Sequence, residues 1–136
     1  MNIQESIHRI LERSDGLAEP FFYGLFFDRY PEVVAHFRGV NIEQQAVLLT
    51  TALVVIERHY TSSYPTTTMY LKYLGTKHHD RGIKTELFPK FQDALLLALE
   101  QFHGSDWDDV LAHQWRQAMD RATATMLEGY HTRFHV

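Results

Sequence analysis

Residues 73–83 read Tyr73-Leu74-Gly75-Thr76-Lys77-His78-His79-Asp80-Arg81-Gly82-Ile83. The pattern is that of a helix that carries an imidazole, His78, one turn after the apolar Leu74. Gly82 then breaks the helix, and Ile83 begins the next apolar pattern. A histidine at the end of such a helix can hold its ring against a flat molecule. Alone it is weak evidence, because the chain has nine histidines and a lone one is more often a surface or core residue.

On both sides of this segment the apolar residues recur with helical spacing. The pattern predicts helices over residues 3–11, 17–30, 42–59, 68–79 and 84–102, with a short helix opened by Pro31. A last helix, capped by Ser105 or Asp106, runs to about residue 128. Asn41 is the predicted cap of the fourth helix, with Gln44 three residues on. The breaks fall at Ser14-Asp15-Gly16, at 38–41 and in a polar loop over 60–67. The sequence therefore predicts an all-α domain of seven or eight helices.

Composition narrows the class of protein further. With 136 residues, 45% of them hydrophobic, we expect a single domain over 1–136. The net charge is −4 and Lys and Arg are scattered, which argues against a nucleic-acid partner. The absence of cysteine excludes disulfides, thiolate metal sites and thiol catalysis. No signal-peptide core and no bilayer-length apolar run are present, so the expected location is the cytoplasm, without membrane contact.

Four residues upstream of His78 stand at spacings that carry further information. Tyr23 lies on the second predicted helix, and Phe37 follows it by 14 residues, at the end of the short helix. Gln44 follows by 7 and Leu48 by another 4, so the latter two share one face of a helix, one turn apart. His78 comes 34 residues after Gln44, on a different helix.

The order and spacing of these pieces resemble the globin family, over about residues 5–126. The resemblance is closest to the bacterial flavohaemoglobin-type globins and their single-domain relatives, and the Leu-Gly-x-Lys-His run is also similar to the neuroglobin version. The matching segments are Phe22-Tyr23-Gly24-Leu25-Phe26, Pro31-Glu32-Val33-Val34-Ala35-His36-Phe37, Leu74-Gly75-Thr76-Lys77-His78 and Trp115 in the last helix. The resemblance implies a globin fold around a haem pocket.

The resemblance also implies a role for each matched residue. His78 would be the proximal ligand of the iron of haem b, and Phe37 would stack on the porphyrin. Tyr23, Gln44 and Leu48 would form the distal, ligand-binding side, where the two polar side chains can donate hydrogen bonds. Ile83 and Phe88 would be further haem contacts. A shift of one residue in the alignment would exchange Gln44 for Gln45. Without cysteine, the haem must be held non-covalently.

Two positions depart from the flavohaemoglobin pattern. Flavohaemoglobins carry a tyrosine and a glutamate behind the proximal histidine, where this chain has Phe88 and Tyr130. Neither can supply a carboxylate that makes the imidazole more basic, so strong peroxidase-type chemistry is not expected. The flavin and nicotinamide reductase domains of that family are also absent from this sequence.

The function that follows from the resemblance is reversible, high-affinity binding of dioxygen, for delivery, storage or scavenging, with carbon monoxide and nitric oxide as further ligands. The alternatives are nitric-oxide dioxygenation with a separate reductase, a gas sensor acting on a partner protein, and a helical domain that has lost haem. Plainer interpretations also remain for single residues. Tyr23 could be an ordinary core tyrosine, and the i, i+4 pair His131 and His135 could bind zinc, although its terminal position argues against it.

Overall fold

The computed structural model describes residues 1–13 and 16–131, and this part of the chain is helical, without strands. Six α-helices form the framework: α1 (Ile3–Glu12), α2 (Gly24–Arg29), α3 (Ile42–Thr61), α4 (Pro65–Asp80), α5 (Leu87–His103) and α6 (Asp109–His131). A π-helical segment, Ala18–Tyr23, runs directly into α2, and 3-10 helices lie at Pro31–Phe37 and Gly104–Asp106. With the π segment and α2 counted as one helix, and the one-turn Gly104–Asp106 left out, the described residues form seven helices, which confirms the all-α prediction.

Local capping explains why several helices begin where they do. The side chain of Asn41 accepts a hydrogen bond from the backbone N–H of Gln44 at 3.1 Å, as the sequence predicts for an N-cap. Asn2 caps α1 in the same way, accepting from the N–H of Glu5 at 2.9 Å. Of the predicted break at 14–16, Ser14 and Asp15 lie outside the described residues, and Gly16 has a φ of +59°, which a glycine adopts without strain.

Other predicted boundaries are wrong. The loop predicted over 60–67 is much shorter, because α3 continues to Thr61 and α4 already begins at Pro65, a first-turn position where the missing N–H of proline is harmless. The helix predicted from residue 84 begins at Leu87. The cap of the last helix is Asp108 rather than Ser105 or Asp106: its carboxylate accepts from the N–H of Leu111 at 2.8 Å.

The longest helix, α6, is the centre of the packing and contacts α1, α3, α4 and α5. Its Trp115 is fully buried, and the indole N–H of that residue donates to the hydroxyl of Ser6 on α1 at 3.0 Å. The hydroxyl of Ser6 also lies 2.5 Å from Nε2 of His103, the last residue of α5. This buried cluster of Ser6, His103 and Trp115 ties three helices together at one end of the molecule.

Helices α4 and α6 approach each other most closely, because each has a glycine at the crossing. A Cβ on Gly75 would collide with the main-chain carbonyl of Met126, and a Cβ on Gly129 with that of Lys72. The hydroxyl of Thr76 donates across the same crossing to the carbonyl of Gly129 at 2.9 Å. The close crossing fixes α4 against the core only a few residues before His78.

The segment between the π helix and α3 is held to α5 by polar contacts. The guanidinium of Arg29 lies 2.9 Å from a carboxylate oxygen of Asp93, and the hydroxyl of Tyr30 donates to the same atom at 2.7 Å. Lys90 forms an ion pair with Glu32 at 2.8 Å. These contacts are at the surface and each contributes little energy, but together they fix the direction of the chain between Tyr23 and Phe37.

Membrane spans were assessed over the described residues. No helix among them has by itself both the length and the apolar composition needed to cross a bilayer. The 3-10 helix Pro31–Phe37 and α3 meet the test only as a pair, bent by 105° at their junction.

Candidate functional site

The last turn of α4 presents His78 in a defined orientation. Its Nδ1 lies 2.6 Å from the main-chain carbonyl oxygen of Leu74, one turn earlier. A carbonyl can only accept a hydrogen bond, so Nδ1 carries the proton and Nε2 is left with its lone pair. A backbone partner of this kind is what fixes the tautomer and ring orientation of a histidine that binds a metal through its other nitrogen. The ring is half-buried, and thus accessible.

No group of three or more His, Asp or Glu side chains in the part of the chain that the structure describes could hold a bare metal ion. Among these residues His78 therefore belongs to no set of three protein ligands, and the donor atom that it offers is Nε2. Such a site suits a metal that brings its remaining ligands with it, as the iron of haem does in its porphyrin ring. The donor set thus fits the predicted haem.

Two hydrogen bonds at Ile83 hold the turn after α4 in place. The N–H of Ile83 donates to the carbonyl of His78 at 3.0 Å, and the carbonyl of Ile83 accepts from the hydroxyl of Tyr130 at 2.8 Å. Burial raises the pKa of the Tyr130 hydroxyl, which keeps it protonated and able to donate. Tyr130 therefore serves the backbone of the turn, and its hydroxyl is not directed at the imidazole of His78.

Phe88 is buried next to His78, with ring centroids 6.1 Å apart, and it also contacts the ring of Tyr130 at 6.0 Å. Phe88 and Tyr130 thus lie together beside the histidine. Aromatic rings cover this side of His78, and neither of the two residues supplies a carboxylate to the imidazole. Within residues 1–13 and 16–131, the hydrogen-bond partner of Nδ1 is the neutral carbonyl of Leu74.

Tyr23 is at the end of the π-helical segment, with 4% of its surface exposed. Its hydroxyl donates to the main-chain carbonyl of Gln45 at 3.2 Å, which connects the segment to the start of α3. Burial raises the pKa of Tyr23 to about 12, and this effect outweighs the hydrogen bond to Gln45, which lowers the pKa. The hydroxyl is therefore a neutral hydrogen-bond donor at any ordinary pH. The ring of Phe37 packs edge-on against that of Tyr23 at 5.7 Å.

One face of α3 leaves apolar side chains uncovered. Leu48 and Val47 expose 59% and 65% of their surface, and Gln44 is exposed one turn before Leu48. The opposite face of the helix, with Leu49 and Leu53, is buried in the core. Gln44, Val47 and Leu48 are called the distal face from here on. Large apolar side chains grouped in this way mark a binding surface more often than single exposed ones do.

The structure therefore separates the two glutamines. Gln44 shares the distal face with Leu48, whereas Gln45 is half-buried and its main chain contacts Tyr23. Sequence reasoning missed both the contribution of Val47 and the role of the Gln45 carbonyl. The first could have been found from the i, i+3, i+4 spacing, but the second involves main-chain atoms and leaves no mark in the sequence.

A surface depression of about 590 Å³ lies elsewhere, between α5 and the continuous segment formed by the π helix and α2. It is lined by Phe21, Gly24, Leu25, Asp28, Arg29, Leu97 and Gln101. None of the predicted site residues is among them, so this depression is separate from the candidate site.

A comparison with protein-family models finds a match to one described as Globin, over residues 20–126. The chain belongs to the globin family. The matched range covers most of the chain and includes Tyr23, the distal face, His78 and Phe88. Globins bind haem and, through it, small gaseous ligands, so the family and the donor set at His78 agree. A search of curated protein sequences found no significant match. The all-α architecture described above is accordingly a globin fold.

Proposed function

We propose that this globin holds haem b between the distal face and His78 and binds dioxygen reversibly with high affinity. The observation that carries the proposal is the hydrogen bond from Nδ1 of His78 to the carbonyl of Leu74, which leaves Nε2 as the free donor. When bound, ferrous haem supplies a coordination position for a diatomic gas. His78 would hold the iron, Phe37, Leu48, Ile83 and Phe88 would contact the porphyrin, and the apolar side chains would keep water away.

Tyr23 and Gln44 are the residues that we assign to the gas. Dioxygen held by haem would be polarised and would accept hydrogen bonds, which both side chains can donate. A hydrogen bond to a charged acceptor contributes about 1.5–3 kcal/mol, a factor of about 10 to 100 in affinity. Carbon monoxide is less polarised and gains less, so the pocket favours dioxygen. The pKa of Tyr23, raised to about 12, supports its role as a donor that does not ionise.

The aromatic surroundings of His78 bear on the choice between binding and catalysis. With Phe88 and Tyr130 at the positions of the flavohaemoglobin tyrosine and glutamate, the imidazole has a neutral carbonyl as its hydrogen-bond partner and receives no carboxylate from these two positions. This supports reversible binding rather than peroxidase-type activation. The second candidate is nitric-oxide dioxygenation, which the same distal tyrosine favours, and which requires a separate reductase to return the iron to the ferrous state.

Dioxygen dissociation and catalytic turnover separate the two candidates. For reversible binding we expect slow dissociation of dioxygen, and only a single round of reaction with nitric oxide in the absence of a reductase. Sustained consumption of nitric oxide in the presence of a reductase and a nicotinamide donor, at a rate limited by the globin, would support the dioxygenase instead. Fast dissociation of dioxygen, with no preference over carbon monoxide, would contradict the distal roles that we assign.

A further inference from the structure

Several of the basic residues of this chain are concentrated in one segment. Residues 58–85 hold five basic residues and one acidic residue, Asp80, and are flanked by Glu57 and Glu86, whereas the whole chain has 13 basic and 17 acidic residues. The five are Arg58, Lys72, Lys77, Arg81 and Lys84. This part of the chain comprises the end of α3, all of α4 and most of the turn before α5. The segment that carries His78 is therefore positive within a negatively charged protein.

Three of these five basic residues are close to His78 in the sequence, and all three are exposed. Lys77 directly precedes His78 in the last turn of α4, Arg81 is the C-cap of that helix, and Lys84 lies in the turn that leads to α5. Lys77, Arg81 and Lys84 are called the basic rim from here on. At 1.5 Å per helical residue, Lys77 and Arg81 are about 6 Å apart along the axis on one face of the helix.

The charges of the basic rim are not neutralised by ion pairs. Lys72, further back on α4, is paired with Glu128 at 3.2 Å, but no carboxylate in residues 1–13 and 16–131 forms a salt bridge with the basic rim. The ammonium of Lys77 lies 5.4 Å from the ring centroid of Tyr73, a contact that leaves its charge intact. The positive charges of the rim therefore stay exposed to solvent, and the acidic residue among them, Asp80, lies 3.6 Å from Nδ1 of His79.

The helix dipole explains only part of this arrangement. Cations in a last helical turn are stabilising, which accounts for Lys77 and Arg81, but Lys84 lies beyond the end of α4. The last turns of α5 and α6 each contain one histidine as their only basic residue. A partner that recognises positive charge accounts for all three residues.

We propose that the basic rim docks an acidic protein that donates single electrons to this globin. The inference rests on the proposed function, because a haem iron that becomes ferric must be reduced before it binds dioxygen again. In that step the donor is oxidised by one electron and ferric iron becomes ferrous. A positive patch on a negative protein orients an acidic partner during encounter and accelerates association. The patch lies on the segment that carries the proposed iron ligand, so docking there brings the donor near the haem.

The experiment is an NMR titration of the haem-loaded, ¹⁵N-labelled protein with a plant-type [2Fe–2S] ferredoxin, a small acidic one-electron donor. Amide shifts locate the contact, and the titration gives Kd at low and at physiological ionic strength. Two charge reversals, Arg81→Glu and Lys84→Glu, are compared with Arg116→Glu on α6. Arg116 is also exposed, and each variant changes the net charge by the same amount.

We expect shifts concentrated over residues 77–84 and a Kd that rises by about tenfold or more as salt screens the charges. Arg81→Glu and Lys84→Glu should each weaken binding by about fivefold or more, and Arg116→Glu by less than about twofold. Equal weakening by all three variants, shifts elsewhere on the surface, or binding that does not respond to salt would overturn the proposal.

The alternative is that the basic rim binds only the carboxylates of haem itself, and the same variants test this. In that case Arg81→Glu and Lys84→Glu would accelerate haem transfer to an acceptor apoprotein and leave the ferredoxin Kd unchanged, which would also overturn docking. A chain that takes up no haem would overturn both this proposal and the proposed function. Haem uptake without localised, salt-dependent binding would overturn docking alone.

Discussion

The hydroxyl of Tyr23 donates to the main-chain carbonyl of Gln45 across 3.2 Å. The two residues lie on different helical segments, and the contact connects the end of the π helix to the first turns of α3. This distance is longer than is usual for a hydrogen bond between a hydroxyl and a carbonyl oxygen. The hydroxyl can therefore be diverted to a stronger acceptor at small cost. In our account that acceptor is dioxygen, and the carbonyl of Gln45 holds the hydroxyl when no ligand is present.

Replacing Tyr23 with phenylalanine tests this directly. Loss of the hydroxyl should raise the dissociation rate of dioxygen by about 10- to 100-fold and change that of carbon monoxide much less. Stopped-flow displacement of dioxygen by carbon monoxide measures the first rate. Tyr60→Phe is the matched control, since it removes a hydroxyl bonded between α3 and Gln117 of α6 at 3.2 Å. An unchanged dioxygen rate in Tyr23→Phe would mean that Tyr23 is only a core residue.

The adjacent glutamines give a second comparison. Gln44→Leu removes an amide from the distal face, and we expect dioxygen to dissociate about tenfold faster as one donor is lost. Gln45→Leu retains the carbonyl that Tyr23 contacts and should change the rate by less than about twofold. The same kinetic measurement on both variants decides between them. A larger effect in Gln45→Leu would assign the distal role to Gln45 instead.

The glycines at the crossing of α4 and α6 predict changes in stability. Gly75→Ala and Gly129→Ala each place a methyl group against the main chain of the other helix, and overpacking of this kind costs about 1–3 kcal/mol or more. Gly24→Ala is the control, because nothing lies within 4 Å of the added Cβ and alanine favours the helix by about 0.5–1 kcal/mol. Urea unfolding gives all three free energies. Equal stability of the three variants would contradict the close crossing.

Stability should fall in mild acid because of His103. Burial lowers its pKa in the folded protein from 6.5 to about 4, and its Nδ1 has no hydrogen-bond partner among the described residues. Below pH 6.5 His103 binds a proton in the unfolded chain but stays neutral in the folded protein. The free energy of unfolding therefore falls as the pH decreases from 6.5 to 4. The loss is at most about 3 kcal/mol.

The measurement is the free energy of unfolding against pH for the wild type, His103→Gln and His113→Gln. Carboxylates titrate in the same range in all three proteins, so their contribution cancels in the differences. We expect a shallower slope below pH 6.5 in His103→Gln only, because His113 is exposed. Parallel curves for the wild type and His103→Gln would show that His103 does not control the acid sensitivity.

Much of the fold was predictable because its signals are local. The Asn41 cap, the all-α class and the shared face of Gln44 and Leu48 follow from residue type and helical spacing. The start of α4 at Pro65 was missed, since a proline marks a loop and a first helical turn equally well. The π-helical form of Ala18–Tyr23 and the crossing of Gly75 with Gly129 were not predictable, because they depend on contacts between distant parts of the chain.

The identity of the site residues was easier to predict from the sequence than the contacts that position them. His78 follows from its position near the end of a helix and from the spacing of the residues before it. Its partner, the Leu74 carbonyl, belongs to the backbone and is visible only in the structure. The packing of Phe88 and Tyr130 beside His78 required two long-range contacts that no local pattern specifies. The roles of all these residues toward haem and gas remain predictions.

The most direct measurement is the absorption spectrum of the purified, haem-supplemented protein, recorded as ferric, as ferrous, and then with dioxygen and with carbon monoxide. We predict stoichiometric haem uptake and a five-coordinate ferrous spectrum that converts to a stable oxygenated form. His78→Ala should abolish this spectrum, whereas His79→Ala, at the exposed neighbouring position, should retain it. A six-coordinate ferrous spectrum would contradict the open distal site. The absence of haem uptake by the wild-type protein would contradict the central claim that His78 holds haem iron.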